Sequence, residues 1–146
     1  MPNHQWRFKK TKYSARKKLI LANDNLFRQI IRIRDKVCQK TGKATNLQVA
    51  HFWRRNILRT RWDMDNACLL QGGIHLYWAH SHFQDFTAFW KMRLGEKRYN
   101  ALELRARYIF PVKEFDLQMI NLELKELLNT LTQKIGSVDK NQRRGR

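Results

Sequence analysis

The sequence predicts a mostly helical α+β domain, and three features of it indicate this fold class. Apolar side chains recur at intervals of three and four residues in several long stretches, as they do in amphipathic helices. Two short apolar runs near the middle of the chain have the length of strands, and turn-forming residues surround them. A chain of 146 residues with this apolar content is long enough for a single domain with its own core.

The first half of the chain is expected to contain a basic arm, one helix and two short strands. Residues 1–22 carry seven basic and no acidic side chains, and they form the predicted arm. Residues 24–37 place apolar side chains at helical spacing. Residues 47–51 and 67–70 are the predicted strands, and a pair of glycines after the second strand turns the chain into the next helix.

The second half is expected to be mainly helical, with the folded domain spanning residues 23–136. Helices are predicted over residues 75–94 and 96–108, with a glycine between them, and over residues 113–135. The last helix has a continuous apolar stripe, which either covers the back of the domain or pairs with a second copy of the chain. Packing within the chain is favoured, and both a monomer and a homodimer stay open. Residues 137–146 form a basic tail that we expect to be disordered without a partner.

Positive charge is the strongest signal in the composition. The chain has 30 Lys and Arg against 12 Asp and Glu, which gives a net charge of +18 and a sequence pI of about 10.6. Basic side chains that contact phosphates release condensed counterions, so DNA is the expected partner, although charge alone does not exclude RNA. In the arm, Lys9, Lys10 and Lys12 are the predicted DNA contacts; an ordinary flexible terminus is the alternative.

The lengths of the apolar runs and the number of cysteines predict where in the cell the protein is located. No apolar run approaches the roughly 18 residues that a membrane span needs, so no membrane partner is expected. Two cysteines without a signal peptide give no disulfide framework. We therefore expect a soluble, cytoplasmic protein.

Three residues between positions 50 and 82 have side chains that suit hydrolysis of a phosphodiester bond. His51 can act as the general base, because an imidazole titrates near neutral pH and can take a proton from water. His75 can hold a divalent ion that polarises the phosphate. Asn66 has no titratable group, so we expect it to orient either the surrounding loop or one tautomer of His51.

Four arginines lie within eight residues between the two predicted strands, namely Arg54, Arg55, Arg59 and Arg61. The planar guanidinium group can grip a phosphate through two hydrogen bonds, which positions the nucleic-acid backbone without reading its sequence. We expect all four to contact DNA. For Arg61, a salt bridge to a nearby Asp is an equal alternative.

The spacing of the candidate residues resembles that of a known family. Fourteen residues separate His51 from Asn66, and eight separate Asn66 from His75, which is similar to the HNH, or His-Me finger, endonucleases. The segments AHFWRR, TRWDMDN and IHLYWAH are similar to segments of phage HNH proteins related to the NinG recombination proteins. The likeness covers roughly residues 38–107.

The resemblance implies a metal-dependent DNA endonuclease with a ββα-metal finger over about residues 38–94. His51 would be the base, Asn66 the orienting residue, and His75 the ligand of one divalent metal ion, with His80 as a second ligand. Further acidic ligands stay open: Asp63, Asp65 and Asp85. Imidazole ligands suit Mn²⁺, Ni²⁺ or Zn²⁺ better than Mg²⁺. The resemblance also points to branched recombination DNA and to the cytoplasm of a phage-infected or prophage-bearing bacterium.

Two departures from the family pattern favour a rival of another class. Many relatives place Asp or His immediately before the base histidine, where this chain has Ala50. Relatives often clamp the finger with a structural zinc bound by four cysteines, at positions that here read Cys38, Thr41, Gln71 and Ile74. We therefore expect no structural zinc, with packing holding the hairpin. The rival is a DNA-binding protein that keeps the finger without catalysis.

Overall fold

The computed structural model describes residues 13–108 and 110–144, without the side chains of residues 79–80 and 138–144. The predicted mostly helical α+β class is confirmed. In this part of the chain the regular elements are α1 (Ala15–Asp35), β1 (Leu47–His51), a 3-10 helix (Met64–Asn66), β2 (Ala67–Gln71), α2 (Gly72–Ser81), α3 (Phe83–Leu94), α4 (Glu96–Arg107) and α5 (Glu114–Arg144). The two strands pair antiparallel. None of the helices described here is long and apolar enough to cross a bilayer.

Both outer helices extend further than the sequence predicted. Helix α1 begins at Ala15 rather than at residue 24, because the Ser14 hydroxyl accepts a hydrogen bond from the backbone N–H of Lys17 at 3.2 Å and caps the helix. Residues 15–22 of the predicted arm are therefore helical. Helix α5 continues to Arg144, so the described part of the predicted tail is helical as well.

The predicted helix over residues 75–94 is two helices. The backbone at His82 leaves the helical region, with φ −137° and ψ 52°, and this ends α2 before α3 begins. The helical backbone is therefore interrupted at His82, a break that apolar spacing alone does not reveal.

The hairpin of β1 and β2 is covered by helices on both faces. In β2, Ala67 and Leu69 belong to a cluster with α1 and α5, whereas Cys68 and Leu70 belong to a cluster with α2, α3 and α4. This alternation follows the two-residue period of a strand. Since both faces are buried, β2 is apolar along almost its whole length.

Helices α1 and α5 pack together and run in the same direction. Near their beginnings, Arg16 Nη2 donates to the carbonyl of Val112 at 2.9 Å. Further along, Asn23 Nδ2 donates to the carbonyl of Leu117 at 3.0 Å, and Asn121 Nδ2 donates to Asn23 Oδ1 at 2.7 Å. Leu117 and Leu124 of the apolar stripe are buried in the cluster with α1, as favoured above, whereas Leu127 and Ile135 are exposed. The oligomeric state stays a prediction.

Replacing Asn121 by Ala should lower the free energy of unfolding by about 1–3 kcal/mol, because the buried Oδ1 of Asn23 loses its donor. Urea unfolding followed by circular dichroism measures this. Asn129→Ala on the exposed side of the same helix is the matched control, and it should change stability by no more than about 0.5 kcal/mol. Equal losses in the two variants would show that the buried pair does not stabilise the α1–α5 contact.

Candidate functional site

The hairpin and α2 position the predicted site residues. His51, the last residue of β1, pairs with Ala67, the first residue of β2, and Asn66 immediately precedes that strand. Helix α2 starts directly after β2 and carries His75 in its first turns. The predicted order of strand, loop, strand and helix is therefore observed.

The imidazole of His51 is held by two contacts. Its ring stacks on Phe27 of α1, with 5.8 Å between ring centroids, and its Nε2 lies 2.9 Å from the backbone carbonyl oxygen of Arg61. A carbonyl can only accept a hydrogen bond, so Nε2 carries the proton and Nδ1 keeps its lone pair. This is the tautomer in which Nδ1 can act as a base.

The side chain of His51 is neutral over the whole physiological pH range. Burial lowers the pKa of His51 to about 4, against the opposing effect of the hydrogen bond to the Arg61 carbonyl. The positive charges of Arg55 and Arg61 lower this pKa as well. The imidazole is therefore available as a proton acceptor at neutral pH, although it is a weak one.

Asn66 holds the loop between the two strands. Its side chain is fully buried, its Oδ1 accepts from the backbone N–H of Trp53 at 2.7 Å, and its Nδ2 donates to the carbonyls of Trp53 and Thr60 at 3.1 and 2.7 Å. Asn66 was expected to orient either the loop or one tautomer of His51, and its observed contacts are with the backbone of the loop. The tautomer of His51 is set by the Arg61 carbonyl instead.

Asp24 is a positioning residue that sequence reasoning missed, since the pattern indicated Asn23 or Asp24 only as a helix cap, a role that Ser14 has instead. Its buried carboxylate accepts hydrogen bonds from Arg61 Nε at 2.8 Å, Arg61 Nη2 at 2.6 Å, Arg55 Nη2 at 2.6 Å and Trp62 Nε1 at 3.0 Å. Burial by itself raises the pKa of Asp24, but the hydrogen bonds and charges of the two arginines outweigh burial and hold the pKa below its ordinary value. The charged carboxylate anchors Arg61, whose carbonyl in turn orients His51.

The four loop arginines have different surroundings. Arg61 forms the salt bridge that was the alternative to a DNA contact, and Arg55 shares the same carboxylate while 54% of its side chain stays exposed. Arg59 donates to the carbonyl of Phe110 at 2.9 Å and so ties the loop to the segment before α5. Arg54 is exposed and has no side-chain hydrogen bond or ion pair to the part of the chain that the structure describes.

His51 and His75 line the same open cleft, which has a volume of about 520 Å³. Arg54 and Arg55 lie along this cleft together with Gln48 of β1. The Nδ1 of His75 is 3.4 Å from Oε1 of Gln48. The structure therefore brings the predicted base, the predicted metal ligand and two of the predicted phosphate contacts to one surface.

The acidic residues left open as metal ligands are engaged elsewhere. Asp65 is hydrogen-bonded to Arg98, and Asp63 accepts from Arg105 at 2.6 Å. Asp85 lines a different cleft. Among the described residues there is no group of three or more His, Cys, Asp and Glu side chains that could share a metal ion. The side chain of His80, the predicted second ligand, and the arm residues Lys9, Lys10 and Lys12 lie outside the described residues.

The positions where a structural zinc is not expected, Cys38, Thr41, Gln71 and Ile74, are tied together by hydrogen bonds and packing. Cys38 Sγ accepts from the backbone N–H of Gln71 at 3.3 Å, and the Thr41 hydroxyl donates to Gln71 Oε1 at 2.7 Å. Ile74 packs against the core cluster that contains Cys38. Hydrogen bonds and packing thus join the segment before β1 to the end of β2.

Comparison with family models, curated proteins and solved structures gave no match to this chain.

Asp24→Asn should lower the free energy of unfolding by about 3 kcal/mol, because two arginines and an indole N–H lose their buried anion. Denaturant unfolding at neutral pH measures the loss. Glu126→Gln on the exposed side of α5 removes one negative charge without a buried partner and should change stability by less than about 0.5 kcal/mol. A loss for Asp24→Asn no larger than this control would mean that the carboxylate does not anchor the loop.

Acid should destabilise the wild type more than His51→Gln. Well above pH 6.5 the imidazole is neutral in the folded and unfolded states. Between pH 6.5 and about 4 the unfolded chain binds a proton at this residue that the folded chain does not. The free energy of unfolding should therefore fall by about 3 kcal/mol more in the wild type across this window. Urea titrations at several pH values check this, and the other titrating groups cancel in the comparison. Parallel curves would contradict a buried, neutral His51.

Proposed function

We propose that this chain is a metal-dependent DNA endonuclease of the HNH type, with β1, β2 and α2 forming a ββα-metal finger. The observation that carries the proposal is the state of His51. Its Nε2 donates to the Arg61 carbonyl, its Nδ1 keeps a lone pair, and its ring lines the same cleft as His75. A neutral imidazole oriented in a basic cleft is suited to activating water for attack on a phosphodiester.

In the proposed reaction, Nδ1 of His51 takes a proton from a water molecule, and the resulting hydroxide attacks the scissile phosphorus. The bond from phosphorus to the 3′ oxygen breaks, and the departing oxygen takes a proton from a second water molecule. Arg54 and Arg55 bind the non-bridging oxygens and offset the negative charge that develops on them. Asn66 and Asp24 take no part in bond making; they keep the loop and the Arg61 carbonyl in place, which fixes the tautomer of the base.

The residues in the cleft fit a divalent ion that is only partly held by protein. Nδ1 of His75, on α2, lies 3.4 Å from the amide oxygen Oε1 of Gln48, on β1. These two side chains would hold the ion, with phosphate oxygens and water as the remaining ligands. Such an ion would polarise the phosphate and stabilise the departing 3′ oxygen. Mn²⁺, Ni²⁺, Zn²⁺ and Mg²⁺ are the candidates.

A second candidate function is DNA binding without catalysis, and the surroundings of Ala50 favour it. This residue occupies the position of a metal ligand in many relatives, but it is fully buried in the cluster that contains Trp78. A base whose pKa is about 4 is also weak at neutral pH. The two functions make opposite predictions for cleavage.

We expect the wild type to cut supercoiled plasmid or a synthetic four-way junction at low salt with a divalent ion, and not with EDTA. The His51→Ala variant lacks the base and should cleave about 10²–10⁴-fold more slowly than the wild type. Cleavage rates with Mg²⁺, Mn²⁺, Ni²⁺ and Zn²⁺ measure this and identify the metal. Preferential cutting of the junction would support a branched substrate.

Binding in EDTA is the control for these rates. Wild type and His51→Ala should shift the same DNA with equal affinity, so that the lost cleavage is a loss of chemistry and not of folding. Partial recovery of His51→Ala cleavage on addition of free imidazole would further support the role of the base. If the wild type binds DNA but cuts it with none of the four metals, the binding-only function is correct.

A further inference from the structure

A second cleft lies between α1 and β1, next to the first. It has a volume of about 250 Å³ and is lined from α1 by Asp24, Phe27, Arg28 and Arg32. Four of its lining residues also line the cleft that contains His75, namely Gln48, Val49, His51 and Arg55. The two clefts therefore meet at the imidazole of His51, with arginines on both sides of it.

The arginines of α1 differ in how much of their hydrogen-bonding capacity is used inside the protein. Arg34 is bound to Asp35 and to the carbonyls of Met64 and Ala67. Arg32 uses one N–H group on the carbonyl of Leu47 at 3.1 Å and keeps the others exposed. Arg28 is exposed and has no ion pair or side-chain hydrogen bond to any residue that the structure describes.

Among the described residues, the one acidic residue that lines this cleft does not neutralise the positive charge of Arg28 and Arg32. Asp24 is the acidic residue in its lining, and its carboxylate already accepts from Arg55, Arg61 and Trp62. Arg28 and Arg32 therefore add positive charge that Asp24 does not balance. An anion in this cleft would meet exposed guanidinium donors on one wall and the Arg55 side chain on the other.

We propose that the α1 cleft binds the backbone phosphate next to the scissile phosphate of the same DNA strand, with Arg28 as the main contact and Arg32 as the second. This inference rests on the proposed nuclease function, because it takes the cleft with His51 and His75 as the place of the scissile phosphate. Because the two clefts share His51 and Arg55, a strand with one phosphate in the first cleft can place a neighbouring phosphate in the α1 cleft. The contact is to the backbone, so it positions the strand and does not read its sequence.

The test compares Arg28→Gln with Lys97→Gln, which removes an equal charge from the exposed surface of α4. Binding of a short synthetic DNA duplex is measured in EDTA over a range of salt concentrations. Arg28→Gln should reduce the slope of log K against log salt by about one unit, because one phosphate contact is lost. Lys97→Gln should leave the slope unchanged, and Arg28→Lys should largely retain it.

Equal slopes for Arg28→Gln, Lys97→Gln and the wild type would overturn the α1 phosphate site. Cleavage by the wild type, measured in parallel, separates this failure from that of the proposed function. If the wild type cuts DNA while Arg28→Gln keeps the full slope, the nuclease stands and the α1 site falls. If the wild type does not cut but Arg28→Gln loses one unit of slope, the α1 cleft binds phosphate in a protein without catalysis.

Discussion

The buried carboxylate of Asp24 is the interaction on which the candidate site depends. A carboxylate is costly to bury unless its charge is compensated, and here two arginines and an indole N–H compensate it. Since Arg61 is held through both Nε and Nη2, its backbone is held as well, and its carbonyl can meet Nε2 of His51. An ion pair in the interior thus determines which nitrogen of the histidine carries the proton.

A second acidic residue of α1, Asp35, is also buried and paired with arginines, and it joins α1 to the sheet. Asp35 accepts from the backbone N–H of Leu69 in β2 at 2.8 Å and from the guanidinium groups of Arg34 and Arg93. Two further acids are also paired with arginines inside the domain, Asp63 and Asp65. Because acids of this strongly basic chain are used in such internal pairs, the clefts around His51 keep exposed arginines that the nearby carboxylates do not neutralise.

Much of the fold follows from local patterns. The strand Leu47–His51 was predicted at its observed bounds, and the second strand differs by one end residue, because alternation and apolar runs are local properties. The helix break at His82 was missed, since the apolar pattern continues through it. His51 and His75, which the spacing singled out, line one cleft, but the contact of Gln48 with His75 joins residues far apart in the sequence.

The sequence by itself determined the α+β class, the position of the hairpin, the positive charge and the candidate histidines, because periodicity and composition encode these directly. Only the tertiary structure decided how each polar side chain is used. Arg54 and Arg61 are the same residue type in one loop, yet one is exposed in the cleft and the other is bound to a carboxylate from α1. The physical reason is that hydrogen-bond partners and burial depend on which elements pack together, and the packing of α1 against the loop is a long-range contact that no local pattern contains.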